Sequence, residues 1–130
     1  MGPTGPRRGL TLDAGALIAL ERRRARVLQL LRAAAMRKMP VTVPVAIIAE
    51  WWRGRTDARE AILATMLVEP MDAQLARAAG EALAVVPRAT TIDAIVTASA
   101  ARRGDVILTS DPEDLSRLAD HFGSVRILAI

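Results

Sequence analysis

Val106-Ile107-Leu108-Thr109-Ser110-Asp111-Pro112 is the most telling stretch of this 130-residue chain. Its first four side chains are aliphatic or β-branched, which suits a strand enclosed on both faces. Asp111 and Pro112 then end the strand and open a helix, since aspartate suits the position before a first turn and proline's missing N–H costs nothing inside it. That helix reaches about Phe122-Gly123, and a last strand follows over 125–130. Immediately upstream, Ile92–Arg103 reads as a helix capped by Thr90 or Thr91 and stopped by Gly104.

The same alternation extends to the other end of the chain. Leu10-Thr11-Leu12 is a short β run ending at Asp13, followed by apolar residues at helical spacing from Ala14 through Ala34 to about Lys38. Pro40 stops them. Val41-Thr42-Val43 is a second strand, Pro44 opens a helix that runs to Arg53, and Gly54 ends it. Asp57 caps a helix to about Met66, Leu67-Val68-Glu69 is a third strand, and Asp72 caps a helix from Ala73 to Val86. Strands separated by helices predict an α/β fold, a mainly parallel sheet with helices on both faces.

Composition narrows the chemistry. Hydrophobic residues make up 52% and charged residues 25%, the balance of a globular chain. There is no cysteine and one histidine, His121, so disulfide scaffolds, thiol nucleophiles, Cys-ligated zinc and multi-histidine metal sites are excluded. Residues 1–59 hold twelve basic and four acidic groups, and residues 60–130 hold six basic and ten acidic. Such a basic half favours polyanions. The longest uncharged run, Met39–Ala49, is about half of what a membrane-spanning helix needs. The first eight residues, rich in Gly, Pro and Arg with no apolar run behind them, read as a flexible arm without a secretory signal, and residues 9–130 as one domain. A cytoplasmic protein with no membrane contact is the expectation. The methionines read as packing residues, and of the adjacent Trp51 and Trp52, about 100° apart on a helix, one is expected in the core.

Four acids stand out. Asp13 and Asp111 follow strands, where ligands bind in open α/β sheets. Glu50 and Asp93 lie inside apolar helical runs, where a charge is costly unless paired or holding a metal. Each has a bland alternative: Asp111 as a helix cap, Asp93 as a first-turn acid favourable to the helix dipole, Asp13 as a turn residue. If the four converge, an all-oxygen set without His or Cys selects a hard cation, Mg2+ or Mn2+.

Four segments carry a resemblance to a known family. They are Leu10-Thr11-Leu12-Asp13-Ala14-Gly15-Ala16-Leu17, Ile48-Ala49-Glu50-Trp51-Trp52-Arg53-Gly54, Thr91-Ile92-Asp93-Ala94-Ile95-Val96, and Val106-Ile107-Leu108-Thr109-Ser110-Asp111-Pro112-Glu113-Asp114. In this order and spacing the chain resembles the PIN domains, and among them the VapC toxins of type II toxin–antitoxin pairs. The resemblance covers most of the chain. It implies a three-layer α/β/α sandwich, one or two Mg2+ or Mn2+ ions in an acidic pocket, and RNA phosphodiester cleavage by a metal-activated water. It further implies a homodimer and a small antitoxin partner that blocks the site. Carried over by position, the metal-holding and catalytic acids are Asp13, Glu50, Asp93 and Asp111. Thr109 matches a hydroxyl position and Asp114 an additional acid. Ala14 and Gly15 stand where many members have Ser or Thr.

Rival readings fit less well. A dehalogenase-like phosphotransferase needs an Asp where Gly15 stands, a receiver domain needs a lysine on a late strand, and the only lysine is Lys38. No phosphate-binding glycine motif is present. The remaining alternative is a catalytically inactive PIN-like binding module.

Overall fold

The computed structural model describes residues 8–130. The arm expected over residues 1–8 lies, except for the exposed Arg8, outside the described residues. The strands are β1 (Leu10–Leu12), β2 (Val41–Pro44), β3 (Leu67–Glu69), β4 (Val106–Thr109) and β5 (Arg126–Ala129). They form one sheet in the order β3-β2-β1-β4-β5, every pairing parallel. Thr11 of the central strand pairs with Thr42 on one side and Ile107 on the other. The helices are α1 (Ala14–Glu21), α2 (Ala25–Met36), α3 (Val45–Trp51), α4 (Asp57–Ala64), α5 (Ala73–Val85), α6 (Thr91–Arg103) and α7 (Pro112–Phe122). Helix α1 packs against α2, α3 and α4, while α6 packs against α5, α7 and strands β1, β2 and β4, and also meets α3. Right-handed crossovers place the first group on one face and the second on the other, the expected three layers.

Helix α6 is the central support. Its residues Ala94 to Ala100 are all buried, and their small side chains let it sit between the sheet and its helical neighbours. The two hydroxyls in that run are satisfied: Thr97 donates to the Asp93 carbonyl and Ser99 to the Glu69 carboxylate, each at 2.7 Å. At its end, Gly104 adopts the left-handed conformation of a helix stop, as expected.

At the end of α6 begins a partly buried ion network. Asp105, 2% exposed, accepts from the Gly9 N–H, the Thr11 hydroxyl and Arg103 Nε at 2.8, 2.8 and 3.0 Å. Arg103 also donates to Thr11 Oγ1 at 2.8 Å and pairs with Glu69. Arg102 joins Glu69 to Asp72. Gly9 is required here, because a Cβ would lie 2.3 Å from the Pro40 carbonyl oxygen.

Some local expectations change. The single helix read from Ala14 to Lys38 breaks at Arg22–Arg24, where Arg23 turns the chain with φ 55°. Regular apolar spacing continues across the break, so the spacing hides it. Thr56 rather than Asp57 caps α4, accepting from the Arg59 N–H at 3.1 Å. Helix α3 ends at Trp51, two residues before Arg53. Met36 and Met71 are exposed rather than packed, whereas Trp51 is buried as expected for one of the two tryptophans. Among the described residues no helix is long and apolar enough to cross a membrane.

Candidate active site

From β1 the chain steps outward to β2 and β3, then returns to β4 on the other side of β1. In open parallel sheets ligands bind where the order reverses, outside the carboxyl ends of the two strands. Asp13 directly follows β1 and Asp111 follows β4. The Asp13 N–H donates to the Leu108 carbonyl at 3.3 Å, which ties the two strand ends together.

Each acid is placed by its backbone. Asp13 caps α1, its Oδ1 accepting from the Ala16 N–H at 2.8 Å. Burial pushes its carboxyl above the ordinary 3.8, Thr109 and the Ala16 N–H partly offset that, and Asp111 and Asp93 add to the rise. Asp93 lies in the first turn of α6, but the cap belongs to Thr90, whose hydroxyl accepts from the Asp93 N–H at 3.1 Å. Burial raises the Asp93 carboxyl too, Thr90 partly offsets this, and Asp114 and Asp111 add to it. Asp111 holds the cap position of α7 yet makes no side-chain capping bond. Its N–H instead donates to the buried Thr109 Oγ1 at 2.9 Å. The bland reading of Asp111 as a helix cap therefore does not describe how its side chain is used.

Glu50 is exposed on α3 and lines a cleft of about 510 Å³ together with Ala14, Ile18, Arg22 and Arg53. Its neighbour Trp51 fixes this helix, donating from Nε1 to Glu21 at 2.7 Å, and Arg59 of α4 reaches the same carboxylate oxygen at 3.1 Å. Arg59 holds the Glu21 carboxyl below its usual range, with Trp51 contributing in the same direction.

Asp13, Asp93 and Asp111 thus share one electrostatic neighbourhood, and Asp114 joins it through Asp93. Glu50 stands apart, on a cleft that reaches Ala14 beside Asp13. Among the described residues no three His, Cys, Asp or Glu side chains converge closely enough to hold a metal ion. The acids lie at electrostatic rather than chelating range. Their chemistry nevertheless fits a hard cation. Among the described residues none of these five forms an ion pair, nor do the exposed Glu81, Glu113 and Asp120, whereas Glu21, Asp57, Glu60, Glu69, Asp72 and Asp105 all do. Oxygen donors carrying uncompensated charge are what Mg2+ or Mn2+ prefers.

Two features escape a reading of the residues alone. Asp105 is the most buried acid, and only the pairing of β1 with β4 brings Gly9 and Thr11 to it. Gly15 stands against Ser110: a Cβ there would lie 2.1 Å from the Ser110 Oγ and 3.1 Å from its Cβ. Gly15, two residues after Asp13, is the visible trace of that approach, but the partner is 95 positions away.

No protein-family profile and no curated protein matches the sequence. Solved structures do match. A chain of the VapBC2 complex from Rickettsia felis, bound to a DNA fragment from its promoter, superposes with a TM-score of 0.74 at 9% identity, over 93% of this chain and 98% of that one. A chain of DNA-bound VapBC from Salmonella typhimurium gives 0.74 at 15% identity, over 94% and 98%. The chain has the PIN-domain fold. A chain of FitAB bound to the IR36 DNA fragment agrees, with a TM-score of 0.68 at 16% identity over 92% and 94%. The PIN fold spans nearly the whole chain, and the four resembling segments fall on β1–α1, α3, α6 and β4–α7 of it.

Proposed function

We propose that this protein is a Mg2+- or Mn2+-dependent ribonuclease acting as the toxin of a toxin–antitoxin pair. The observation that carries the reading is the group of acids at the sheet's order reversal that have no basic partner among the described residues, where the buried Asp105 and the partly buried Glu69 are paired. Asp13, Glu50, Asp93 and Asp111 would hold the ion. When bound, such an ion supplies an activated water and offsets charge on the phosphate. The chain's own contribution is positioning. The Ala16 N–H fixes one Asp13 oxygen, and the Thr109 hydroxyl also bears on the carboxylate. Thr90 anchors the backbone under Asp93, and Thr109 anchors it under Asp111. Glu50 and Asp111 are both exposed, and a shared ion would require their side chains to turn toward Asp13 and Asp93. No histidine is needed, which suits a chain whose single histidine lies near the end of α7.

The partner part of the reading draws on the neighbours, which come from VapBC and FitAB assemblies bound to DNA. An antitoxin that binds DNA is the corresponding partner here. A homodimer would pair through the apolar strip of Val45, Ile48, Ala49 and Trp52 on α3 and its edge.

The deciding experiment compares wild type with Asp93→Asn on single-stranded RNA with Mg2+ or Mn2+. Wild type should cut, and the variant should lose at least a hundredfold in rate while melting as a folded protein. Loss of activity in EDTA and recovery on adding Mn2+ would establish the metal. An RNA left intact by the wild-type chain with either ion would instead favour the inactive binding module.

A further inference from the structure

The two residues that follow Asp13, Ala14 and Gly15, line two different clefts. The second cleft, described above, contains Ala14 and Glu50; the first contains Gly15 and Ser110, has a volume of about 520 Å³, and shares Ile18 and Arg22 with the second. Their charges differ. The first is lined by Arg22, Arg24 and Arg26 and by no acid, while the second balances Arg22, Arg53 and Arg59 against Glu21 and Glu50. Among the described residues Arg22 and Arg24 have no acidic partner, and Arg26 is tethered through Nε to the Ala129 carbonyl at 3.1 Å. Arg23, in the left-handed conformation between them, turns the chain so that Arg22 and Arg24 both border the cleft and Arg23 does not. The floor is aliphatic, with Ile18, Ala19 and Ile130.

We infer that this first cleft is the subsite for the nucleotide next to the cut, its phosphate held by Arg22 and Arg24 and its base resting on Ile18 and Ile130. The inference rests on the ribonuclease reading and deepens it by assigning the strand's path. A volume of about 520 Å³ accommodates one nucleotide, within the usual range of small-ligand pockets. Arginines outside any ion pair among the described residues on one side, and aliphatic side chains on the other, match the two halves of a nucleotide. The second cleft, with two acids against its three arginines, attracts phosphate less strongly, so the backbone is directed to the Gly15 side.

Binding and cutting test this separately. The anisotropy of a fluorescein-labelled single-stranded RNA octamer is followed on the Asp93→Asn chain, with and without the pair Arg22→Gln and Arg24→Gln. The pair should weaken binding by about tenfold and make the slope of log affinity against log salt shallower by about 0.7, the value for one phosphate contact on a single strand. Arg77→Gln, in the opposite helical layer, should leave both unchanged, and Arg22→Lys with Arg24→Lys should restore the salt slope. In chains with Asp93 intact, the glutamine pair should raise KM and spare kcat at saturating RNA. Unchanged affinity and slope, beside normal cutting by wild type, would overturn the subsite and leave the ribonuclease reading standing. A wild-type chain that cuts no RNA would overturn that reading and the subsite with it. Loss of binding to a polyglutamate peptide, with RNA binding unaffected, would reassign the cleft to an acidic protein segment and equally overturn the inference.

Discussion

Asp13 shows how one residue can serve the fold and oppose it at once. Its carboxylate caps α1 through the Ala16 N–H, yet it is carried half-buried toward Asp93 and Asp111 with no basic partner. Asparagine can accept the same capping bond without the charge. Asp13→Asn should therefore raise the melting temperature measured in EDTA by a few degrees, about 1 kcal/mol of relieved burial and repulsion, while abolishing RNA cleavage. Lower stability of the variant in a thermal melt would mean that the charge is compensated in a way the ion-pair pattern does not show. Gly15 makes a second residue-scale case. Gly15→Ala places a methyl against Ser110 Oγ and Cβ. The hydroxyl can rotate away, but the contact with its Cβ is tight, so the β4–α7 corner that carries Asp111 must shift. Cleavage should fall at least tenfold with a melting temperature lowered by only a few degrees; an alanine variant with full activity would show that corner to be compliant.

At the scale of elements, α6 carries both ends of the molecule's logic, with Asp93 at its start and the Arg102–Arg103 network at its finish. Truncating Arg103 leaves the buried Asp105 without its ion-pair partner among the described residues, while Glu69 keeps Arg102. Arg103→Met should cost about 3–5 kcal/mol in urea denaturation, because an uncompensated buried charge costs more than a pair contributes. The same network sets an acid limb. Burial alone would raise the Glu69 carboxyl, but Ser99, Arg102 and Arg103 more than offset it and hold it below the ordinary 4.5. A lowered carboxyl contributes stability that is present above 4.5 and lost as pH falls through its folded value. Glu69→Gln should accordingly be less stable than wild type at neutral pH, with the gap narrowing in acid; a constant gap from pH 7 to 3 would remove Glu69 from the acid limb. Elements of this kind were partly legible in the residues. Strand β4 and its helix could be read directly, since four apolar or β-branched residues bounded by Gly104 and Asp111 leave few options. The break between α1 and α2 was not, because the apolar spacing on either side of Arg22–Arg24 stays in phase while the turn depends on a left-handed Arg23. The site was legible as residue types at strand ends and in apolar helices. Its distribution was not: whether Glu50 joins the aspartates depends on where α3 stops and how Trp51 anchors it, and those are tertiary contacts.

For the whole molecule, the site is made by topology. No single element contains it: β1, β4, α6 and α7 each deliver one acid, and the reversal of strand order gathers them at one end of the sheet. Like charges assembled by long-range packing oppose the very packing that assembles them, about 4 kcal/mol for a pair at 4 Å and an effective dielectric near 20, and less at the wider spacing of these acids. A ligand that cancels that charge must then stabilise the entire fold, since it binds only the folded arrangement. Titrating Mg2+ or Mn2+ to about a hundredfold over its dissociation constant should add roughly 2.7 kcal/mol, a rise of roughly 10 °C in melting temperature for a domain of this size. Monovalent salt at matched ionic strength supplies screening without coordination and should give a smaller rise. The shift should shrink in Asp93→Asn and again in Asp13→Asn with Asp93→Asn, whereas Asp72→Asn, whose carboxylate is engaged by Arg102, should keep it in full. Equal shifts in all these chains would place divalent ions on the general surface, and the acids at the reversal would then have to be explained without a metal.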